Sequence, residues 1–196
     1  MTQFKLVDEN LRKTEKAYLP LRGTKTSAGY DFFATEDIAI EPQGKAFFWT
    51  DVCVDLEDDE VLLLDVRSSI GTKQDLMLAN TIPVIDSDYI NAPNGGNIGI
   101  MLRNLKPSMK LDGYYMASVN IFCTKDGENV LLDEDGKKVT REAEITIPVI
   151  TNLKTENTIY ISKGERVCQG IILKYVEADN CNSNTERTGG FGSTDK

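Results

Sequence analysis

The shortness of its apolar runs constrains this chain more than any other feature. Phe4–Val7, Asp37–Ile40, Lys45–Leu56, Glu60–Val66, Asn97–Leu102, Glu144–Ile150, Thr158–Ile161 and Arg166–Val176 read as strands. Turn signals such as EPQGK, DGEN, DEDGKK and SKGE punctuate them. No long stretch keeps a helical period, and the best helix candidate is short, Ser68–Leu76. Many short strands joined by turns predict an all-β fold, a jelly-roll-like β-sandwich. A chain of 196 residues is long enough for one such domain with its own core. Residues 1–178 read as that domain, interrupted at about 105–153 by an insertion. After Val176 the sequence turns polar (EADNCNSNTERTGG), and residues 179–196 read as a mobile C-terminal arm.

Charge and missing residue types narrow the function. The formal net charge of −9 argues against nucleic-acid or anionic-membrane binding, which need a cationic surface. No apolar run reaches membrane-span length and the start, MTQFKLVDEN, has no signal-peptide core, so a cytoplasmic location is expected. The chain has no histidine. That removes Ser-His-Asp and Cys-His catalysis and most transition-metal sites. A general base must then be Asp, Glu, Lys, Tyr or a thiolate. Cys53, Cys123, Cys168 and Cys181 form no CxxC pair, so neither a zinc cluster nor a disulfide framework is expected.

Five short polar patches, four of them with glycine, lie beside predicted strands. In SAGYDFFATED, Gly29 permits a tight approach and Asp31 stands near a strand start; the plain reading is a turn. In VRSSIGTK, Arg67 follows a strand and Ser68 and Ser69 open the short helix; they read either as caps or, with Arg67, as an anion site. In LANTIPVIDSDYI, a strand, a tight hairpin and a return strand would put Asn80 and Asp86 on one loop. Apolar Val84 and Ile85 precede Asp86, and a partly desolvated carboxylate there makes a usable base, against the reading of a solvated turn aspartate. In SKGERVCQGII, Gln169 within an apolar strand requires a hydrogen-bond partner. The last patch is the tail, ERTGGFGSTDK.

Taken in order, AGYD at 28–31, RSS at 67–69, the stretch from Asn80 through IDSDY at 85–89, GERVCQ at 164–169 and RTGGFGST at 187–194 resemble the five motifs of the trimeric dUTP pyrophosphatases, or dUTPases. The resemblance runs over most of the chain outside the insertion. It implies Mg²⁺-assisted hydrolysis of dUTP to dUMP and pyrophosphate, in a homotrimer whose sites lie between subunits. Under it Asp86 activates the attacking water. Asn80 and the backbone about Val84 and Ile85 pair with uracil, and Tyr89 packs on deoxyribose with Gly99 nearby. Arg67, Ser68, Ser69 and Gln169 hold phosphates, and Asp31 sits near the Mg²⁺, through water. The arm closes as a lid: Phe191 stacks on the base, while Arg187, Ser193, Thr194 and the amides of Gly190 and Gly192 hold phosphates.

Three departures stand out. Pro83, which has no N–H to donate, occupies a hairpin position where the family often has glycine. INAPN precedes GGNIGI after Tyr89, and the last motif has one residue fewer than usual between its arginine and Phe191. The long insertion, with GNIGI and KGER, resembles dUTPases of phages of Gram-positive bacteria, where the extra segment is thought to meet other proteins. An alternative reading is therefore a dUTPase-like regulatory protein acting through the insertion, whose Met109, Tyr114, Tyr115, Met116 and Phe122 suit an adaptable interface. A dCTP deaminase of the same superfamily would need a glutamate in the strand NIGIMLRN, which has none. A purely structural jelly roll would leave the ordered motifs unexplained.

Overall fold

The computed structural model describes residues 1–107, 110–111, 114–119, 145–150, 153–154, 157–180 and 189. Its elements in chain order are β1 (Gln3–Leu6), β2 (Leu21–Arg22), β3 (Tyr30–Phe33), β4 (Ile38–Ile40), β5 (Lys45–Trp49), β6 (Val52–Asp55), β7 (Glu60–Val66), α1 (Ser68–Gln74), β8 (Leu76–Leu78), β9 (Val84–Asp86) and β10 (Gly99–Asn104). β11 (Lys110–Leu111), β12 (Tyr114–Val119), β13 (Ile145–Ile150), β14 (Leu153–Lys154), β15 (Ile159–Ile161) and β16 (Arg166–Lys174) complete them. The fold is all-β and jelly-roll-like, as the sequence predicts.

Met1–Ser108 and Asn157–Lys196 make one unit, Met109–Glu156 a second. The first is built on a five-stranded sheet, β2-β3-β16-β7-β9, a three-stranded sheet, β5-β10-β8, and the pairs β1-β6 and β15-β4. All of these pairings are antiparallel. Alternation decides which face each strand buries. Leu62 and Leu64 of β7, Ile100 and Leu102 of β10, Leu76 and Leu78 of β8, and the isoleucines of β4 and β15 turn inward and meet Phe32 and Phe48 in one apolar cluster. In the second unit, β12 pairs with β13 from Tyr114↔Ile150 to Val119↔Ile145, and β11 pairs with β14.

The stem of the insertion is tied within the first unit. Buried Asn104 donates from Nδ2 to the carbonyls of Ile40 (3.0 Å) and Asn157 (2.7 Å). Asn157 Nδ2 donates to Pro107 O at 2.9 Å. The chain therefore leaves and re-enters the sandwich at neighbouring points.

The structure changes three local expectations. Lys45–Leu56 is two strands, because Asp51 sits in the left-handed region at φ 54° and breaks the extended run. Its amide donates to Asn97 Oδ1 at 3.0 Å, while its carboxylate accepts from Asn97 Nδ2, the amides of Lys13 and Thr14, and Thr14 Oγ1. The helix stops at Gln74, since Asp75 is left-handed at φ 56°, and the chain continues directly into β8. β8 and β9 do not pair with each other across the predicted hairpin: β8 pairs with β10 and β9 with β7, in different sheets.

Candidate functional site

Five of the sequence-predicted residues meet at one end of β7. β16 lies between β3 and β7, and Gln169 stands opposite both Asp31 and Asp65. Directly opposed residues share a face, so Asp31 and Gln169 project to the same side of the sheet. Arg67 follows β7 immediately, and its amide donates to Val167 O at 3.3 Å. Arg67 is itself the N-cap position of α1, and no side chain caps that helix. Ser68 and Ser69 lie inside its first turn, which corrects the reading of these serines as caps. Buried Ile70 anchors the turn to the core, Ser68 is exposed and Ser69 is half-buried.

Asp31 is buried, at 5% exposure, and its two carboxylate oxygens serve two arginines. Oδ1 takes Arg67 Nε at 3.1 Å and Oδ2 takes Arg166 Nη1 at 3.0 Å. A buried carboxylate of this kind requires such compensation. It fixes one edge of Arg67 and leaves the outer donors of its fork for an anion. Arg166 was not singled out in the sequence; the signal available was its place between Gly164 and Gln169 in a glycine-turn motif. Gly29 belongs to the same corner. A β-carbon there would lie 2.8 Å from Gln169 Oε1 and 3.3 Å from Gln169 Cβ, so the glycine lets the glutamine side chain lie across the turn.

The same contacts test the Asp31 metal reading. With both oxygens occupied by guanidinium groups, Asp31 does not fit as a direct ligand. No group of three or more His, Cys, Asp or Glu among the described residues could hold an ion.

The remaining residues gather elsewhere. β9 pairs with β7 in the register Val61↔Asp86, Leu62↔Ile85 and Leu63↔Val84. Asp86 therefore stands beside Val61, at the start of β7, while Arg67 follows the far end. Six residues of strand at about 3.3 Å each put roughly 20 Å between these backbone positions. Asp86 is exposed in the single chain, where the sequence suggested partial desolvation, because β9 is an edge strand and Asp86 ends it. Asn80 is exposed, Ile82 and Val84 stand 55% and 58% exposed, and Ile85 is buried. Between them Thr81 is held at φ 67°, an uncommon position for a β-branched residue. Pro83 is buried, and its carbonyl accepts from Leu64 N at 3.0 Å, which ties the turn to β7.

Tyr89 follows in a 3-10 turn (Ser87–Asn91) with its ring buried. Its hydroxyl donates to Asn97 O at 2.9 Å and accepts from Asn94 Nδ2 at 3.1 Å. Asn97 also binds Asp51, so one polar network joins the Tyr89 turn to the β5–β6 corner. Gly99 is buried at the start of β10, and a β-carbon there would lie 2.5 Å from Phe47 Cζ, so any side chain would have to displace the Phe47 ring.

Burial alone would raise the Asp51 carboxyl. Hydrogen bonds from Thr14, Lys13 and Asn97 outweigh that and hold it below the usual carboxylate range. Cys53 and Cys168 are both buried, and burial pushes both thiols up, Cys168 most strongly, so neither is a thiolate nucleophile. Cys123, Cys181, Arg187, Gly190, Phe191, Gly192, Ser193 and Thr194 lie outside the described residues. No helix among the described residues is long and apolar enough to cross a membrane.

Comparison with known proteins finds dUTPases in sequence and in fold. The dUTPase family model matches residues 15–109. The deoxyuridine 5′-triphosphate nucleotidohydrolase of Lactococcus lactis is 30% identical over 179 residues, covering 90% of this chain and 87% of that protein. Among solved structures, the dUTPase from phage phi11 of S. aureus, with its species-specific insert, has a TM-score of 0.58 at 26% identity and covers 94% of this chain and 97% of that one. A mutant of that enzyme coordinates a structural Mg(II) ion. The dUTPase of Staphylococcus bacteriophage 80alpha, described as controlling transfer of virulence genes, has a TM-score of 0.58 at 27% identity and covers 96% of this chain and 99% of that one.

Proposed function

The chain belongs to the dUTPase family, and from that premise we propose that it hydrolyses dUTP to dUMP and pyrophosphate. The observation that carries the proposal is the corner where Asp31, Arg67 and Gln169 converge beside the Ser68–Ser69 turn. It sets a guanidinium fork, two hydroxyls and an amide together on an otherwise acidic chain, which suits an anionic phosphate chain.

In this reading Asn80 and the backbone of Val84 and Ile85 pair with uracil, and the Tyr89 turn packs on deoxyribose. Asp86 accepts a proton from water. The water oxygen bonds to the α-phosphorus as the bond to the bridging oxygen breaks, and pyrophosphate leaves. General-base assistance of this kind contributes about 10²–10⁴-fold. Positioning and neutralisation of the phosphates supply the larger share. Mg²⁺ would come with the substrate phosphates and keep its waters. Arg187, Phe191, Gly192, Ser193 and Thr194 would close over the nucleotide from the arm.

The separation of Asp86 from Arg67 along β7 supports a site shared between copies of the chain, as in a homotrimer. With their backbones roughly 20 Å apart on one sheet, a base and a phosphate clamp cannot both reach one α-phosphate, whereas two neighbouring subunits can bring them together. The test is pyrophosphate release with Mg²⁺ from dUTP, dCTP, dTTP and UTP in parallel. Release from dUTP alone is expected; equal release from dTTP or UTP contradicts the assignment of base and sugar contacts.

A second reading concerns Met109–Glu156. Its standing as a separate unit with a tied stem favours a docking role for a protein partner beside catalysis. Replacing residues 109–156 with a short Gly-Ser link should leave dUTP turnover intact. Loss of turnover in a folded protein would make the insertion part of the active-site wall instead.

A further inference from the structure

The geometry points to Arg166 as a positioning residue for the triphosphate: through Asp31 it sets the orientation of Arg67. This inference rests on the reading of the corner as a phosphate site.

The first support is the backbone. β16 runs against β3 with Gln169↔Asp31 and Cys168↔Phe32, but Arg166 faces Phe33, so the register slips by one residue at Val167. In an unbroken strand Arg166 would share a face with Cys168, which is fully buried against the core. The bulge moves it to the face of Phe33 and Asp31. Val167 and Cys168 are consecutive buried residues, as expected where alternation is interrupted. A bulge that re-aims a charged side chain out of a core and onto a buried carboxylate is a device with a consequence.

The second support is how Arg166 is held. Its Nη1 bonds Asp31 Oδ2 at 3.0 Å and its Cζ lies 5.9 Å from the centre of the Phe33 ring. Phe33 is backed in turn by Tyr18 at 5.6 Å, and Lys16 caps Tyr18 at 5.0 Å. This ladder fixes the guanidinium from behind while about half the side chain remains exposed. Asp31 is then a buried hinge-pin between two cations. With Arg166 in place, one oxygen is committed and only Oδ1 is free to receive Arg67 Nε. Without it, Asp31 can rotate or take Arg67 bidentately, which would draw the arginine fork away from the phosphates.

The experiment uses the full chain and a non-hydrolysable α,β-imido analogue of dUTP with Mg²⁺. Arg166→Gln should raise the analogue Kd and the dUTP KM together by about tenfold while kcat stays within about threefold, the pattern of lost uniform binding. Arg166→Lys keeps the charge but not the planar fork and should fall between. The Arg67→Lys background separates action through Arg67 from direct contact: there Arg166→Gln should weaken binding by less than about threefold further. The same tenfold loss in that background, or no loss in the wild-type background, overturns the inference. Melting temperatures of all variants are read alongside, and a fall in melting temperature with unchanged Kd likewise overturns it in favour of a structural role. A wild-type chain that does not bind the analogue overturns the phosphate reading itself, and so is distinguishable from failure of the Arg166 role.

Discussion

Two inactive variants of this protein should restore each other. Asp86→Asn removes the proposed base and Arg67→Gln removes the proposed phosphate clamp. The register Val61↔Asp86 and the six residues from Val61 to Arg67 put their backbones roughly 20 Å apart. The two side chains together reach less than about 10 Å. Reacting groups must come within about 3–3.5 Å, so the pair cannot act on one α-phosphate inside a subunit. If each site takes Asp86 from one subunit and Arg67 from a neighbour, random mixing at equal amounts leaves both residues intact in half of a half, about a quarter of sites. The assay is pyrophosphate release after co-refolding, with native mass spectrometry to count mixed assemblies. About a quarter of wild-type turnover is expected, well above either parent. Arg67→Gln mixed with Gln169→Ala is the internal control. Those residues lie at the same end of β7, so their sites should not be restored. Mixed assemblies with no activity beyond the parents would refute the shared-site argument.

Further outcomes follow from single residues. Asp86→Asn should lower kcat by at least about a hundredfold with KM within a few-fold, because the substitution removes a base and little binding; near-normal kcat rules out the assignment. Asp51→Asn should destabilise the fold by about 2–4 kcal/mol, since a buried charge-assisted set of hydrogen bonds is lost. Because the folded-state Asp51 carboxyl lies below its ordinary value, its contribution is present above pH ~4 and is lost as pH falls through the folded value, so urea midpoints of wild type and variant should converge in acid; a constant gap from pH 7 to pH 2 counts against this. Gly99→Ala should cost about 1–3 kcal/mol because the added methyl meets the Phe47 ring, and Phe47→Ala in the same chain should remove most of that increment; an additive double variant would show that the clash is not the cause.

The sandwich was legible because its strands obey a two-residue period. Leu62 and Leu64, or Ile159 and Ile161, alternate with exposed or half-buried neighbours, and that pattern survives in any sheet they join. The break at Asp51 was not legible. Nothing local distinguishes TDVCVD from an extended strand; the left-handed turn is imposed by Asn97 and Lys13–Thr14, contacts distant in sequence. The same holds for β8 and β9. LML and VID flank a turn and look like a hairpin, but each finds a better partner, β10 and β7, in separate sheets. The motif residues were legible as chemistry and not as geometry. Asp31, Arg67 and Gln169 are scattered in sequence and meet because β16 lies between β3 and β7. Asp86 is closer to Arg67 in the chain than Gln169 is, yet lies at the other end of the strand. Order along the chain carries motif identity, while register decides which motifs share a subunit's corner. Arg166 shows the same limit at the scale of one residue: period-two reading places it on the core face, and only the bulge at Val167 turns it onto Asp31. A sequence argument that counts alternation therefore misassigns the residues a bulge exists to redirect. In this protein the redirected residue is Arg166, and its proposed consequence is the aim of the proposed phosphate clamp.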